Sequence, residues 1–234
     1  MVFIVAEIGV NWDGDFDLVK QMMEKSKKSG CDAVKFQAYS KKMVENHPES
    51  ERLLKSTISK ENIEEINDIS KSVGIEWFGT PMYEESVELL DPYVKRFKIR
   101  EFDGRPLLEN KTSKIMNKIL ETNKEIIISS QKSPKNSIYF FEERIKWLYC
   151  EPKYPCALTE LDFSNMNDFF GYSNHTANLL APICAIANGA KLIEIHITSD
   201  KSKKFIDNNI SFDYKELENL VPMIRLIEQI KFTK

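Results

Sequence analysis

The feature that most constrains this chain is an alternation that runs its whole length. Apolar runs of strand length are followed, one after another, by stretches with the spacing of an amphipathic helix. The first run is Val2–Ile8, and the first helical stretch is Phe16–Ser29, with Leu18, Met22, Met23 and Ser26 on one side and Gly30 as its left-handed stop. Further strands are expected at Ala33–Gln37, Glu76–Gly79, Arg96–Ile99, Glu125–Ser129, Ile145–Tyr149, Phe170–Tyr172 and Lys191–Ile195. Helices are expected near Lys60–Val73, stopped by Gly74, and at Leu179–Asn188 and Asp213–Lys231, the last disturbed locally by Pro222. Strand after helix after strand calls for a parallel sheet with helices packed outside it. In 234 residues this predicts one α/β domain, a closed (β/α)8 TIM barrel spanning residues 1–234. A doubly wound open sheet is the alternative, but no GxGxxG or GxxxxGK turn follows any strand. The segments Gln131–Trp147 and Leu158–Phe169 are too short for full-length helices, so the helices are expected to be shortened on that side.

Composition narrows the class of partner. At 42% hydrophobic and 29% charged residues the chain can build a sizeable core, and a net charge of -3 offers no electrostatic reason to expect nucleic acid or an anionic membrane. Met1–Ala6 is apolar but runs into Glu7 with no basic segment or cleavage site, which reads as a buried strand and not a secretory leader. Cys31, Cys150, Cys156 and Cys184 form no CxxC pair, so they read as reduced thiols of a cytoplasmic protein. Asp200–Lys204 reads as a solvated loop.

Polar side chains gather where the strands end: Glu7, Lys35 with Gln37, Thr80, Lys98, Ser129, Ser173 with His175, and Glu194 with His196. In (β/α)8 enzymes that end of the barrel carries the active site. Buried lysines and carboxylates are costly unless paired or ligated, so a ring of them requires a reason. Each lysine alone is explained by a salt bridge to Glu7, Glu101 or Glu194; the set, repeated strand after strand, points to function. His47 lies in a polar loop. His175 and His196 close neighbouring strands and could share a divalent ion, with Mn, Fe, Co, Ni or Zn better suited to two imidazoles than Mg or Ca; hydrogen-bonded core histidines are the alternative. Lys35 and Lys98, with the hydroxyls of Thr80, Ser129 and Ser173, suit an anionic, phosphorylated substrate, and a Schiff-base role is open to either lysine.

The order of short motifs carries a family resemblance. Ala-Glu-Ile-Gly-Val-Asn at residues 6–11 and Gly30-Cys-Asp-Ala-Val-Lys-Phe-Gln37 are similar to the opening of sialic acid (N-acetylneuraminate) synthases. Gly79-Thr-Pro, Phe97-Lys-Ile, Tyr154-Pro155, Gly171-Tyr-Ser-Asn-His-Thr176 and Gly189-Ala-Lys-Leu-Ile-Glu-Ile-His-Ile-Thr198 follow in the same order, then Asp207 and Ser211. The resemblance implies condensation of phosphoenolpyruvate, through its C3, with the open-chain aldehyde of an N-acylated amino sugar such as N-acetylmannosamine. Water adds at C2, and phosphate leaves with C–O cleavage. It further implies that His175 and His196 hold Mn2+ or a similar ion (Mg2+ or Co2+ being alternatives) that polarises the aldehyde oxygen. Lys35 and Lys98, with Thr80, Ser129 and Ser173, would bind the phosphate and carboxylate of phosphoenolpyruvate. Glu7 would handle the proton of the attacking water, Glu194 would support lysine or metal, and Gln37, Tyr154 and Asp207 would contact the sugar.

The chain departs from the family pattern at Trp12, where the family has histidine, and at Pro152, Asn174 and Ile195. It also has Glu101 in place of the serine after Lys-Ile-Gly, an acid beside the expected anion site that Arg100 or Arg105 must neutralise. The family's C-terminal antifreeze-like domain, which reaches into a partner's active site, is not expected to follow the last barrel helix. A homodimer or partner protein would then supply its contribution. Three readings are open on the sequence: a phosphoenolpyruvate-condensing synthase, a catalytically degenerate barrel that binds or regulates a full-length synthase, and a metal-dependent aldolase or isomerase.

Overall fold

The computed structural model describes residues 1–230. Its strands are β1 (Phe3–Gly9), β2 (Ala33–Ala38), β3 (Glu76–Pro81), β4 (Arg96–Ile99), β5 (Glu125–Ser130), β6 (Ile145–Tyr149), β7 (Gly171–Asn174) and β8 (Leu192–His196). They pair in chain order, all parallel, and β8 closes on β1 to complete the barrel. Both faces of each strand are covered, which is why they read in the sequence as near-continuous apolar runs. The helices are α1 (Phe16–Ser29), α2 (Lys41–Val44), α3 (Ser50–Ser56), α4 (Ile63–Val73), α5 (Glu84–Leu90), α6 (Glu101–Leu108), α7 (Lys114–Glu121), α8 (Leu180–Ala187) and α9 (Tyr214–Ile227). None is long and apolar enough to cross a membrane.

Local chemistry sets the element ends. The Asp15 carboxylate accepts from the Leu18 amide (3.0 Å) to start α1, and Gly30, at φ 95°, ends it in the left-handed region that favours glycine. Between them Leu18, Val19, Met22, Met23 and Ser26 are buried, and this face packs against α4 and α9. Helix α9 runs unbroken through Pro222, whose ring is exposed, so the carbonyl that loses its amide partner lies toward solvent. The expected end of that helix at Lys231 lies outside the described residues. The polar stretch between β2 and α4 is more ordered than its composition suggests, carrying α2 and α3. Trp12 explains part of this. It is fully buried, donates Nε1–H to the Ser56 carbonyl at the end of α3 (3.1 Å), and meets the Phe36 ring edge-on at 6.2 Å.

One side of the barrel is thinly clad. Among the described residues no α-helix lies between β5 and β6, and the β6–β7 connection holds only two short 3-10 turns, Leu158–Glu160 and Met166–Asp168. Aromatic rings cover the strands there instead. Tyr149 packs against Phe163 and Phe169, each at 5.7 Å, and Phe163 meets Tyr172 at 5.3 Å. A large ring buries much area per residue, so few residues do the covering that a helix does elsewhere.

The tightest backbone approach on this side is at Gly171, where β7 sits between β6 and β8. A Cβ there would lie 2.1 Å from the Leu192 carbonyl oxygen and 2.9 Å from Leu148. Gly171→Ala must therefore push strands apart. It should cost about 3 kcal/mol of folding stability, at the upper end of overpacking penalties, as measured by denaturant unfolding; a loss below about 0.5 kcal/mol would show that the sheet yields without strain.

Candidate active site

The parallel barrel puts the last residue or two of every strand at one mouth, and a cavity of about 430 Å3 opens there. Every expected site residue except Glu194 lines it: Glu7, Lys35, Gln37, Thr80, Lys98, Ser129, Tyr154, Ser173, His175, His196 and Asp207. Glu194 lies beneath the others, fully within the barrel, and bridges the two lysines.

The floor is a four-charge network. Lys35 Nζ is 2.9 Å from Glu7 Oε2, 3.8 Å from Glu194 Oε2, and donates to Thr80 Oγ1 at 3.1 Å. Lys98 Nζ is 3.4 Å from Glu194 Oε1 and donates to Ser129 Oγ at 2.7 Å. Ser173 Oγ donates to Glu194 Oε1 (2.9 Å), and Gln37 Nε2 to Glu7 Oε1 (2.9 Å). Of the ion pairs weighed as alternatives to function, those to Glu7 and Glu194 are present and one to Glu101 is not, and the same lysines also face the cavity. Strand register makes this possible, since Glu7 sits opposite both Lys35 and His196, and Ser173 opposite Glu194. Gly9, at φ 54°, marks a register shift just after Glu7; a Cβ there would come within 3.0 Å of the Glu7 carboxylate.

The two lysines are not equivalent. Burial would lower the pKa of Lys35, but Glu194 and Glu7 outweigh it and the pKa is raised. Burial also dominates at Lys98, where Glu194 opposes it without cancelling it, so that pKa is lowered. For Glu194, burial is overcome by Lys35, Lys98 and His196, which hold the carboxyl well below its usual range. The signs matter for stability. Lys35 binds its proton more tightly in the fold, so its contribution is full below its ordinary pKa and disappears as pH rises through the raised value. Lys98 binds its proton less tightly there than in the unfolded chain, so it withdraws stability as pH falls below 10.5.

The histidines form the opposite wall. Their ring centroids are 5.8 Å apart. His175 Nδ1 is 2.8 Å from the Glu151 carbonyl oxygen, which can only accept, so Nδ1 carries the proton and Nε2 keeps its lone pair. His196 Nδ1 faces Asp207 Oδ2 at 3.4 Å, and the Tyr154 hydroxyl lies 3.1 Å from His196 Nε2. Asn11, fully buried, accepts from the Asp207 amide (3.0 Å) and donates to the Ile197 carbonyl (2.9 Å) and to Ser211 Oγ (3.0 Å), tying the Asp207 loop to the end of β8. Two imidazoles with carbonyl or carboxylate partners on Nδ1 fit a divalent ion whose other ligands are water or substrate. No set of three or more His, Cys, Asp or Glu among the described residues is arranged to hold a metal.

Glu101 is neutralised as expected, by Arg105. The guanidinium meets both carboxylate oxygens, with Nε at 2.9 and 3.0 Å and Nη2 at 2.7 Å. Arg100 pairs with Asp103 at 2.6 Å instead. Asn174, at a departure from the family pattern, is buried and satisfied, accepting from the Tyr172 hydroxyl and donating to the Thr176 carbonyl. Cys150 is a polar lining residue that was not anticipated. Cys150 follows β6 directly, with its sulfur 3.6 Å from His175 Nδ1, and burial pushes its thiol up to about 12. The strand-end rule that singles out the other residues, applied to β6, reaches it. The four cysteines are all free.

Burial, reinforced by the nearby His196, depresses the His175 pKa from 6.5 to about 3. In metal-free protein the His175 ring should therefore show no NMR titration above pH 4, a limit set about one unit over that depressed value. A midpoint near the ordinary 6.5 would mean the ring is solvated and the wall is built differently.

Similarity to known proteins agrees with this geometry. The pattern of the NeuB family matches residues 22–233. The N,N'-diacetyllegionaminic acid synthase of Legionella pneumophila is 33% identical, with 97% of this chain aligned to 72% of that protein. The N-acetylneuraminate-9-phosphate synthase of Mus musculus is 28% identical over 97% of this chain and 70% of its own. Among solved structures, the N-acetylneuraminic acid (sialic acid) synthetase from Leptospira borgpetersenii in complex with citrate superposes with a TM-score of 0.83 at 26% identity, covering 97% of this chain and 84% of that one. With the motifs in order, the barrel closed and the pattern matched along nearly its whole length, this chain belongs to the NeuB family, the sialic acid synthase family.

Proposed function

We propose that this chain, a phosphoenolpyruvate-condensing synthase by family, joins phosphoenolpyruvate to an N-acylated amino sugar of the N-acetylmannosamine type with the help of a divalent ion, giving a nonulosonic acid and phosphate. The observation that carries this reading is the meeting of two buried lysines, bridged by Glu194, with a facing pair of histidines in one cavity. An anion with two charged ends and an aldehyde with one polarisable oxygen need those two walls.

Lys35 and Lys98 are the cations for the phosphate and carboxylate of phosphoenolpyruvate, and Thr80, Ser129 and Ser173 add hydroxyl donors beside them. Glu194 holds both ammoniums at fixed positions before substrate arrives, so little reorganisation is left for the reaction itself. His175 and His196 would hold the ion, most suitably Mn2+, with Mg2+ or Co2+ as alternatives. When bound, such an ion acts as a Lewis acid toward the aldehyde oxygen. C3 of phosphoenolpyruvate then bonds to the aldehyde carbon, water adds at C2, and the C2–O bond breaks as phosphate departs. Glu7, held by Lys35 and Gln37, would take the proton of that water. Gln37, Tyr154 and Asp207 line the same cavity and would contact the sugar.

The direct test titrates metal-loaded protein with phosphoenolpyruvate and then follows phosphate release against N-acetylmannosamine and related amino sugars. Saturable binding, with phosphate released only when sugar is present, is the expected result. Absence of phosphoenolpyruvate binding would favour the degenerate barrel that serves as a binding partner. Two variants separate the walls. Lys98→Met should weaken phosphoenolpyruvate at least about 100-fold in calorimetry, the scale of a lost charge-assisted contact. The fold should persist, because Glu194 keeps Lys35 and the Ser173 hydroxyl as partners. His196→Ala should lose Mn2+ binding and activity while its unfolding curve stays cooperative; unchanged Mn2+ affinity would remove the proposed ion site.

A further inference from the structure

The two histidines are held by partners of different kinds. His175 Nδ1 meets the Glu151 carbonyl at 2.8 Å, a main-chain group just past the end of β6. His196 Nδ1 meets Asp207 Oδ2 at 3.4 Å, a side chain carried by the connection between β8 and α9. That connection runs out to the surface, and its residues 201–204 are all exposed. A separation of 3.4 Å is longer than a closed charge-assisted hydrogen bond, so a few tenths of an ångström in the position of Asp207 decide whether the pair forms.

Asn11, two residues beyond β1, fixes that position. Its side chain is fully buried and every polar atom on it is used: Oδ1 accepts from the Asp207 amide, and Nδ2 donates to the Ile197 carbonyl and to Ser211 Oγ. Ser211 Oγ in turn donates to the Asp207 carbonyl at 2.7 Å. Both main-chain polar groups of Asp207 are therefore bound, one by Asn11 and the other by the hydroxyl that Asn11 engages. Ile197 follows His196 directly, and the Phe212 amide, next to Ser211, donates to the His196 carbonyl at 2.8 Å. Asn11 thus links the strand end that carries the imidazole to the loop that carries its carboxylate partner. A primary amide supplies an acceptor and two N–H donors on one short stem, a set that aspartate lacks. With no exposed surface, Asn11 touches neither ion nor substrate.

We propose that Asn11 is a positioning residue for the divalent ion: it holds Asp207 against His196 Nδ1, which keeps the proton on that nitrogen and presents Nε2 to the ion. This rests on the synthase reading above. A ligating imidazole usually donates its other N–H to such a partner, and loss of the partner weakens the metal about 10- to 100-fold. His175 needs no such anchor, because its partner is main chain.

The test measures Mn2+ affinity directly, by calorimetry and by electron paramagnetic resonance, with no sugar or phosphoenolpyruvate present, so that any sugar contact of Asp207 is silent. Asp207→Ala should weaken Mn2+ about 10- to 100-fold and Asn11→Ala about tenfold. The double variant should lose no more than about twofold beyond Asp207→Ala, because both losses run through one contact. Ser211→Ala removes only the hydroxyl on the Asp207 carbonyl and should weaken Mn2+ about threefold; it takes the place of Asn11→Ala in the cycle if that variant does not fold. Ile119→Ala, a truncation of a buried side chain in α7, should destabilise the fold and leave Mn2+ within about twofold of the parent. Unchanged affinity in either single variant, losses that multiply in the double variant, or an equal loss in Ile119→Ala would overturn the proposal and leave the synthase reading in place. A parent protein that binds no Mn2+ would instead remove the ion from that reading, and this proposal with it.

Discussion

Four charges with almost no access to water, Glu7, Lys35, Lys98 and Glu194, are the constraint around which the rest of this barrel is arranged. Taking such groups out of solvent is expensive, and it is tolerated only where every charge has close partners. Strand register supplies those partners: β1 stands between β2 and β8, so Glu7 reaches Lys35, and β8 points Glu194 between the ammoniums of β2 and β4. The apolar layers below exist in part to keep that register, because a slip of one residue would turn each charged side chain toward the helices. Lys98 shows that stability is not the end served. Its ammonium is held where burial disfavours it and Glu194 compensates only in part, a pattern that clusters at functional sites.

Much of this was legible in the residues. α1, β4 and β6 have the bounds expected of them because each is delimited by unambiguous local chemistry, a capping aspartate and a left-handed glycine for α1, abrupt polarity changes for the strands. β7 begins at Gly171 and not at Phe170, whose ring serves the outer wall; apolar character alone does not tell a strand residue from a covering one. α6 was hidden for a different reason. Gly104 and Pro106 look like helix breakers, yet Gly104 is required by the approach of α6 to β5, where a Cβ would lie 2.7 Å from Ile128. Which carboxylate each lysine would choose was open, since that depends on side-chain reach across the barrel and not on spacing in the chain.

The same helix shows how an added charge can be absorbed locally without disturbing the floor of the site. Glu101 and Arg105 lie one turn apart, at a spacing that brings their side chains together on a helix surface, so the acid arrived with its own counter-ion. Asn174 and Trp12 are comparable: each replaces a family residue and each has satisfied its polar atoms within the fold. These three departures from the family pattern are therefore locally compensated, and the lysines, Glu7 and the histidines stand around one cavity.

The thin cladding of β6 and β7 changes what holds the barrel wall together there. Elsewhere the strands are braced by helices whose backbone bonds form and break cooperatively; here the brace is a stack of rings around Tyr149 and Tyr172. Rings can rotate or slide individually, without the loss of a ladder of amide bonds. This is also the side that delivers Cys150, Tyr154 and His175 to the mouth. Around β6, then, the wall of the barrel is held by side-chain packing and not by a helical ladder, on the side that brings Cys150, Tyr154 and His175 to the cavity.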